Sequence, residues 1–229
     1  FAFAAETPFV PVVAAEIAQA MHAYPIVFSA GDAHPIAVMG VERENLFVTE
    51  GGWAVDAYVP AYVRRYPFGF IPTINPEGFV LAIDADAGRV RKDGDEGTAL
   101  FENAEPSELT QQALAFCDAF QGQAMATRAF ADALVAAELL VDRRADVQLP
   151  DGRTLGLEGF QVVDADKVAA LSDETVVEWH RNGWLALVNY HLASLDRFPS
   201  LLARRAARVA VAEMSPEHGE AQTTHSEEG

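Results

Sequence analysis

Tyr24-Pro25-Ile26-Val27-Phe28-Ser29-Ala30-Gly31-Asp32-Ala33-His34-Pro35-Ile36-Ala37-Val38-Met39 is the stretch that decides the fold class. Two apolar runs of strand length, Pro25-Ile26-Val27-Phe28 and Ile36-Ala37-Val38-Met39, lie either side of turn-forming Gly31-Asp32, which predicts two buried strands. Leu46-Phe47-Val48, after the charged Glu42-Arg43-Glu44-Asn45, predicts a third. Upstream, Val12, Val13, Ile17, Ala20 and Met21 fall near helical spacing. They predict a short amphipathic helix that stops at Tyr24-Pro25, because the residue before a proline is pushed out of helical geometry.

Downstream, residues 58–65 read as a turn or two of helix with Pro60 near its start and Tyr66-Pro67 at its end. Residues 68–73 and 79–83 flank Asn75-Pro76-Glu77-Gly78 and predict a hairpin. Residues 84–97 are too polar to pack and predict an exposed loop, after which Leu100-Phe101 is expected to rejoin the sheet. From Pro106 the period changes. Leu109, Ala113, Phe116 and Phe120, then Phe130, Leu134, Ala137 and Val141, predict two helices broken near Gly122. Pro150-Asp151-Gly152-Arg153, between Val147-Gln148-Leu149 and Thr154-Leu155-Gly156-Leu157, predicts a small second β element. Ser172 with Asp173 and Glu174 starts a helix, and Gly183 stops it. Leu185, Val188, Leu192 and Leu195 mark another, expected to end at Pro199 before a last helix over 201–212. The fold class is therefore α+β, with a mixed or antiparallel sheet in the N-terminal half (25–104) and helices dominating the C-terminal half (105–212). One domain over 1–212 and a disordered acidic tail over 213–229 complete the expectation.

The formal net charge is -18, from 34 acidic residues against 16 basic ones, which repels phosphate backbones and excludes nucleic acid as a partner class. Five glutamates of the tail account for part of it and leave the body at -13. Cys117 is the single cysteine, so neither an intrachain disulfide nor a cysteine-based metal site is open to the chain. The longest apolar windows, 9–21 and 184–195, are interrupted by polar residues and fall short of the roughly 18 that a spanning helix needs, so no membrane insertion is expected. A cytoplasmic location is the expectation. The chain begins at Phe1 rather than methionine, which leaves the periplasm and the cell surface open.

Motifs that carry chemistry are absent: there is no GxSxG, GxxxxGK[ST] or GxGxxG, and no HxH, HxxxH or HExxH among six histidines. No metal and no cofactor is expected. Asp84-Ala85-Asp86-Ala87-Gly88 starts like a calcium loop, but Arg89 and Asp95 stand where the loop needs glycine and a bidentate glutamate, so a polar turn is the better reading. Cys117, beside Phe116 and without a basic neighbour in sequence, reads as packing. Two arginine clusters stand out in so acidic a chain: Arg64-Arg65, and Arg197, Arg204, Arg205 and Arg208. The second either forms surface salt bridges or receives an anion or the tail's glutamates. The first precedes Tyr66-Pro67-Phe68 and follows Trp53 and Tyr58, an arrangement that suits guanidinium stacking. Trp53, Arg64, Arg65, Tyr66 and His191 are the candidates for ligand or partner binding, and no catalytic residue can be assigned.

Several segments together resemble the bacterial SapC family: Tyr24-Pro25-Ile26-Val27-Phe28, Asn45-Leu46-Phe47-Val48, Gly52-Trp53, and above all the run from Pro60 to Arg64-Arg65-Tyr66-Pro67-Phe68. Ile83-Asp84, Leu100-Phe101, Gly159-Phe160, the stretch from Asp164 through Lys167 to Leu171, and His191-Leu192-Ala193-Ser194-Leu195 agree in order and spacing. The resemblance spans residues 9 to about 205. It implies a surface-layer context and neighbours such as outer-membrane uptake receptors, flavin-dependent halogenase-like proteins and cupin-like proteins. An accessory or interaction protein with a protein partner is the leading expectation. A small-molecule or peptide-modifying enzyme, or its obligate partner, with Trp53, Arg64, Arg65 and His191 in one pocket, is the alternative, and a structural surface-layer subunit a third.

Overall fold

The computed structural model describes residues 1–50, 52–74, 76–92, 96–148 and 154–214. The chain opens with strand β1 (Phe9–Pro11), a 3-10 turn over Ala14–Glu16, and a single helical turn, α1 (Ile17–Ala20). The helix is shorter than its apolar spacing suggested: Val13 is extended, and it and Val12 are buried ahead of α1. β2 (Ile26–Ser29) and β3 (Pro35–Val38) are antiparallel, with Ile26 opposite Ala37 and Phe28 opposite Pro35. Ser29 ties the turn between them, its hydroxyl donating to Asp32 and accepting from the His34 amide.

The third expected strand is a loop. Leu46 and Phe47 are buried, but the only ladder near them joins the two-residue strands β4 (Val48–Thr49) and β5 (Gly52–Trp53). Local bonds win over strand propensity here, because the Asn45 side-chain oxygen accepts from the Phe47 amide at 3.0 Å and folds the chain back. The return is tight enough that a Cβ at Gly40 would lie 1.7 Å from the Glu44 carbonyl oxygen. After α2 (Ala61–Arg64), strands β6 (Phe68–Ile74) and β7 (Glu77–Ile83) form the expected hairpin. It pairs with no other described strand. Nor does Leu100-Phe101 rejoin the sheet: β8 (Phe101–Glu102) pairs with β9 (Glu105–Pro106) across Asn103 and Ala104, both at positive φ.

One helix, α3 (Glu108–Ala136), replaces the two expected. Ser107 caps it, accepting from the Thr110 amide. A mid-helix glycine costs about 1 kcal/mol against alanine, less than the burial of Phe130 and Leu134 contributes further along the same face. The helix ends before Val141, which belongs to β10 (Leu140–Gln148). β10 and β11 (Thr154–Val163) are a long hairpin whose turn lies outside the described residues. It is not a separate β element. β11 pairs with β2, Phe160 opposite Ser29 and Gln161 opposite Phe28, to give one sheet of order β1-β3-β2-β11-β10 with every ladder antiparallel. The pairing joins residues about 130 positions apart, and no local pattern announces it.

Helices α4 (Ala165–Ala169), α5 (Asp173–Arg181) and α6 (Trp184–Ser194) follow, α5 capped by Ser172 as expected. Gly183, at φ 76, turns the chain between α5 and α6 in the left-handed region that glycine enters without strain. Pro199 does not end α6. The chain passes through a 3-10 turn over Leu195–Arg197 into α7 (Phe198–Met214), where proline in the first turn has no hydrogen bond to lose. α7 reaches two residues into the expected tail, and residues 215–229 lie outside the described residues. With its antiparallel sheet and predominance of helix toward the C-terminus, the fold is α+β. No helix among the described residues is long and apolar enough to cross a membrane.

The core gathers both ends of the chain: Val10, Ile17, Tyr24, Ile26, Phe28, Phe130, Leu134, Leu139 and Val188 are fully buried in one cluster. At its centre the β2–β11 ladder opens after two residue pairs. Continued in register, it would set Val163 opposite Ile26, and there α6 inserts two polar side chains. His191 Nε2 accepts from the Val163 amide at 3.0 Å, so Nδ1 carries the proton and donates to the Ile26 carbonyl at 2.8 Å. Ser194 Oγ accepts from the Ile26 amide at 2.9 Å and donates to the His191 carbonyl at 2.6 Å. Side chains thus satisfy strand groups that would otherwise be buried without partners.

Candidate functional site

The site starts from one carboxylate in an apolar run. Glu16 is 5% exposed, and its Oε1 accepts from the Ala61 amide at 2.6 Å and from the Tyr58 hydroxyl at 2.7 Å, while Oε2 accepts from the Val13 amide at 3.2 Å. Pro60, at the N-cap of α2, has no side chain that can accept a hydrogen bond, so a residue 45 positions upstream caps the helix instead. Arg64 closes the arrangement. It lies 3.5 Å from Glu16, donates to the Tyr58 hydroxyl at 2.8 Å and the Val59 carbonyl at 3.0 Å, and stands over the Tyr58 and Phe116 rings. Burial, together with the Glu16 bond, pushes the Tyr58 phenol up to about 12. The result is a fixed α2, from which Arg64, Arg65 and Tyr66 line one cavity.

That cavity encloses about 640 Å³ between the base of the β6–β7 hairpin, the segment around residues 89–91 and 96–100, and the first half of α3. Phe68 and Ile83, cross-strand partners in the hairpin, line it with Leu100, Leu109, Ala113 and Phe116. Arg65, Arg89 and Arg91 supply charge beside Arg64. Arg65 stands over two rings, Tyr62 at 4.4 Å and Phe120 at 5.0 Å, and Arg89 over Phe1 at 5.8 Å. Arg91 pairs with Glu96 at 2.6 Å. The Tyr66 hydroxyl donates to Asp84 at 2.9 Å, a bond that raises its pKa, and its ring stacks on Phe3 at 3.9 Å. Cys117 lines the cavity with its thiol pKa raised by burial. Arg65, Tyr66 and Phe68 also line an adjoining cavity of about 280 Å³.

A family model described as SapC matches residues 1–201. The chain belongs to the SapC family. No curated protein and no solved structure matches it. The SapC match contains every residue that lines the cavity and ends at the start of α7, before Arg204, Arg205 and Arg208.

Of the five binding candidates in this SapC chain, the structure brings Arg64, Arg65 and Tyr66 together at the cavity, and Trp53 and His191 line neither it nor its neighbour. Trp53 is buried, with Nε1 donating to the Tyr24 hydroxyl at 2.9 Å, which in turn donates to the Tyr58 carbonyl at 2.5 Å. His191 serves the sheet. Three members of the second arginine cluster bind the chain to itself: Arg204 pairs with Asp56, Arg205 with Glu42 and Glu44, and Arg208 with Glu44, while Arg197 lines a small cavity beside Arg204. Sequence reasoning missed Glu16 and Arg89. A lone acid in an apolar run was a usable signal for the first, whereas Arg89 sat unmarked in a polar turn.

Proposed function

We propose that this SapC-family chain is an accessory or interaction protein of a bacterial envelope or nutrient-uptake system, acting from the cytoplasm, and that the arginine-lined cavity is its recognition site. The observation that carries the reading is the convergence of four arginines on an apolar cavity in a chain of net charge -18. In a chain whose overall charge repels anions, four cations line one apolar cavity where side chains can surround a guest. The lining is suited to holding: guanidinium groups, rings, and a thiol that burial keeps protonated. This favours binding over the alternative of a small-molecule or peptide-modifying enzyme or its obligate partner. The neighbouring hairpin supports a protein partner, since Ile71, Ile74, Phe79 and Val80 are exposed on strands that pair only with each other among the described residues.

The test is affinity capture from the native bacterium with the full chain and with an Arg65→Glu, Arg89→Glu double variant. The reading expects an identified envelope or uptake protein with the first and its loss with the second. Recovery of no such protein, or equal recovery with both, rejects it.

A further inference from the structure

We infer that the cavity takes an organic carboxylate with an apolar or aromatic body, its anionic end held by Arg65 and Arg89. The inference rests on the cavity being the recognition site proposed above, and it adds the chemistry of the guest.

The argument turns on which arginines are already occupied. Arg64 spends its donors on Tyr58 and Val59 and faces Glu16, and Arg91 faces Glu96. Asp84, next to Ile83 of the lining, accepts from Tyr66. The side chains of Arg65 and Arg89 have no hydrogen bond and no ion pair among the described residues, in a chain with about twice as many acids as bases. Their ring contacts do not use those donors. A guanidinium held over aromatic rings keeps its charge, so Arg65 over Tyr62 and Phe120 is held in place without being neutralised. A planar fork of donors matches a carboxylate in two-point geometry.

The remainder of the cavity sets the body of the guest. Phe68, Ile83, Leu100, Leu109 and Phe116 offer apolar surface, and about 640 Å³ lies in the range of small-ligand pockets. A compact hydrophilic anion would leave that surface uncovered, and a neutral apolar molecule would leave two cations unpaired beside it. A carboxylate on an apolar body satisfies both. Such a group occurs on a free acid or at the end of a peptide chain whose last residue is apolar.

Calorimetric titration of the full chain with 3-phenylpropanoate and with 3-phenylpropanamide, its neutral isostere, tests the assignment. A tripeptide ending in phenylalanine, as free acid and as amide, separates the two sources. The acid of at least one pair should bind about tenfold more tightly than its amide, with an affinity that falls as salt is raised. Arg65→Gln and Arg89→Gln should each remove most of that preference, and Arg43→Gln, which deletes an arginine that does not line the cavity, should retain it. Should Arg65→Gln fail to fold, exposed Arg89 and the salt dependence of the wild type decide the matter. Equal affinity for acid and amide, or no binding by any of the four probes, overturns the inference. Either result is distinct from failure of the cavity as recognition site, which is read by partner capture that ignores Arg65 and Arg89.

Discussion

His191 joins two strands only while it is neutral. Its Nε2 must accept from Val163, and a second proton there would place a buried charge against an amide donor. An unfolded imidazole titrates near 6.5 and the folded one near 4, because burial disfavours the charged form. Between those values the unfolded chain binds more protons. The stability is complete above about pH 6.5 and falls as pH drops toward 4, by about 3 kcal/mol in total. Urea midpoints measured across that window should decline with acid, and His191→Gln should be less stable at neutral pH with a flatter profile. His34, also lowered by burial, leaves a smaller residual slope. An unaltered slope in the variant would show that His191 titrates alike in the folded and unfolded chain. Gly40 makes a different demand. Its missing Cβ is what lets the Glu44 carbonyl approach, so Gly40→Ala should cost about 3 kcal/mol or more in denaturant unfolding, through displaced backbone rather than lost contacts. A change within experimental error would mean that the 40–44 turn relaxes freely.

Among the elements, α3 gives the opposite expectation. Gly122 lies in its interior with open space where a Cβ would stand. Gly122→Ala should therefore raise stability by about 0.5–1 kcal/mol, read as a higher melting temperature. A loss instead would mean that this helix needs its glycine for a partner or a bend. The same glycine explains one misreading, because a breaker signal reports local cost while burial of Phe130 and Leu134 sets the outcome. The β2–β3 pair, the β6–β7 hairpin and the Ser172 cap were legible because each is fixed within a few residues of itself. The β2–β11 pairing and the conversion of Leu46-Phe47 to loop were not, since distant partners and a side-chain bond decide them. At the site the same division holds. Arg64, Arg65 and Tyr66 were visible as a cluster, but the occupied or unoccupied state of each arginine depends on Glu16 and Glu96, brought to them by folding. Trp53 and His191 drew notice by residue type, and their donors are engaged in the core.

For the whole molecule, α7 acts as a clasp on the N-terminal half. Arg208 donates to Glu44 and to the carbonyls of Asn45, Leu46 and Val48, beside Arg205 on Glu42 and Glu44 and Arg204 stacked over Phe47. These acceptors lie along the loop that replaced most of the third strand and at the start of β4. Arg208→Ala should lower stability by about 2 kcal/mol by leaving partly buried carbonyls short of donors, and Arg208→Lys should recover little, because one ammonium cannot span four acceptors. Chemical denaturation of both variants checks this, and full rescue by lysine would reduce the clasp to simple charge pairing.

The polar plug between β2 and β11 also sets an order of events during synthesis. The Ile26 amide and carbonyl receive their partners from Ser194 and His191, 168 and 165 residues later. A nascent chain that has emerged through β3 holds one neighbour for β2 and an open, apolar edge where β11 will pair. Contacts so distant in sequence make folding slow, and the edge remains available to other chains until most of the protein has left the ribosome. Chains stopped short of β11 therefore keep that edge uncovered, chains stopped short of Ser194 leave Ile26 without its polar partners, and chaperones have reason to hold this protein until its last third arrives.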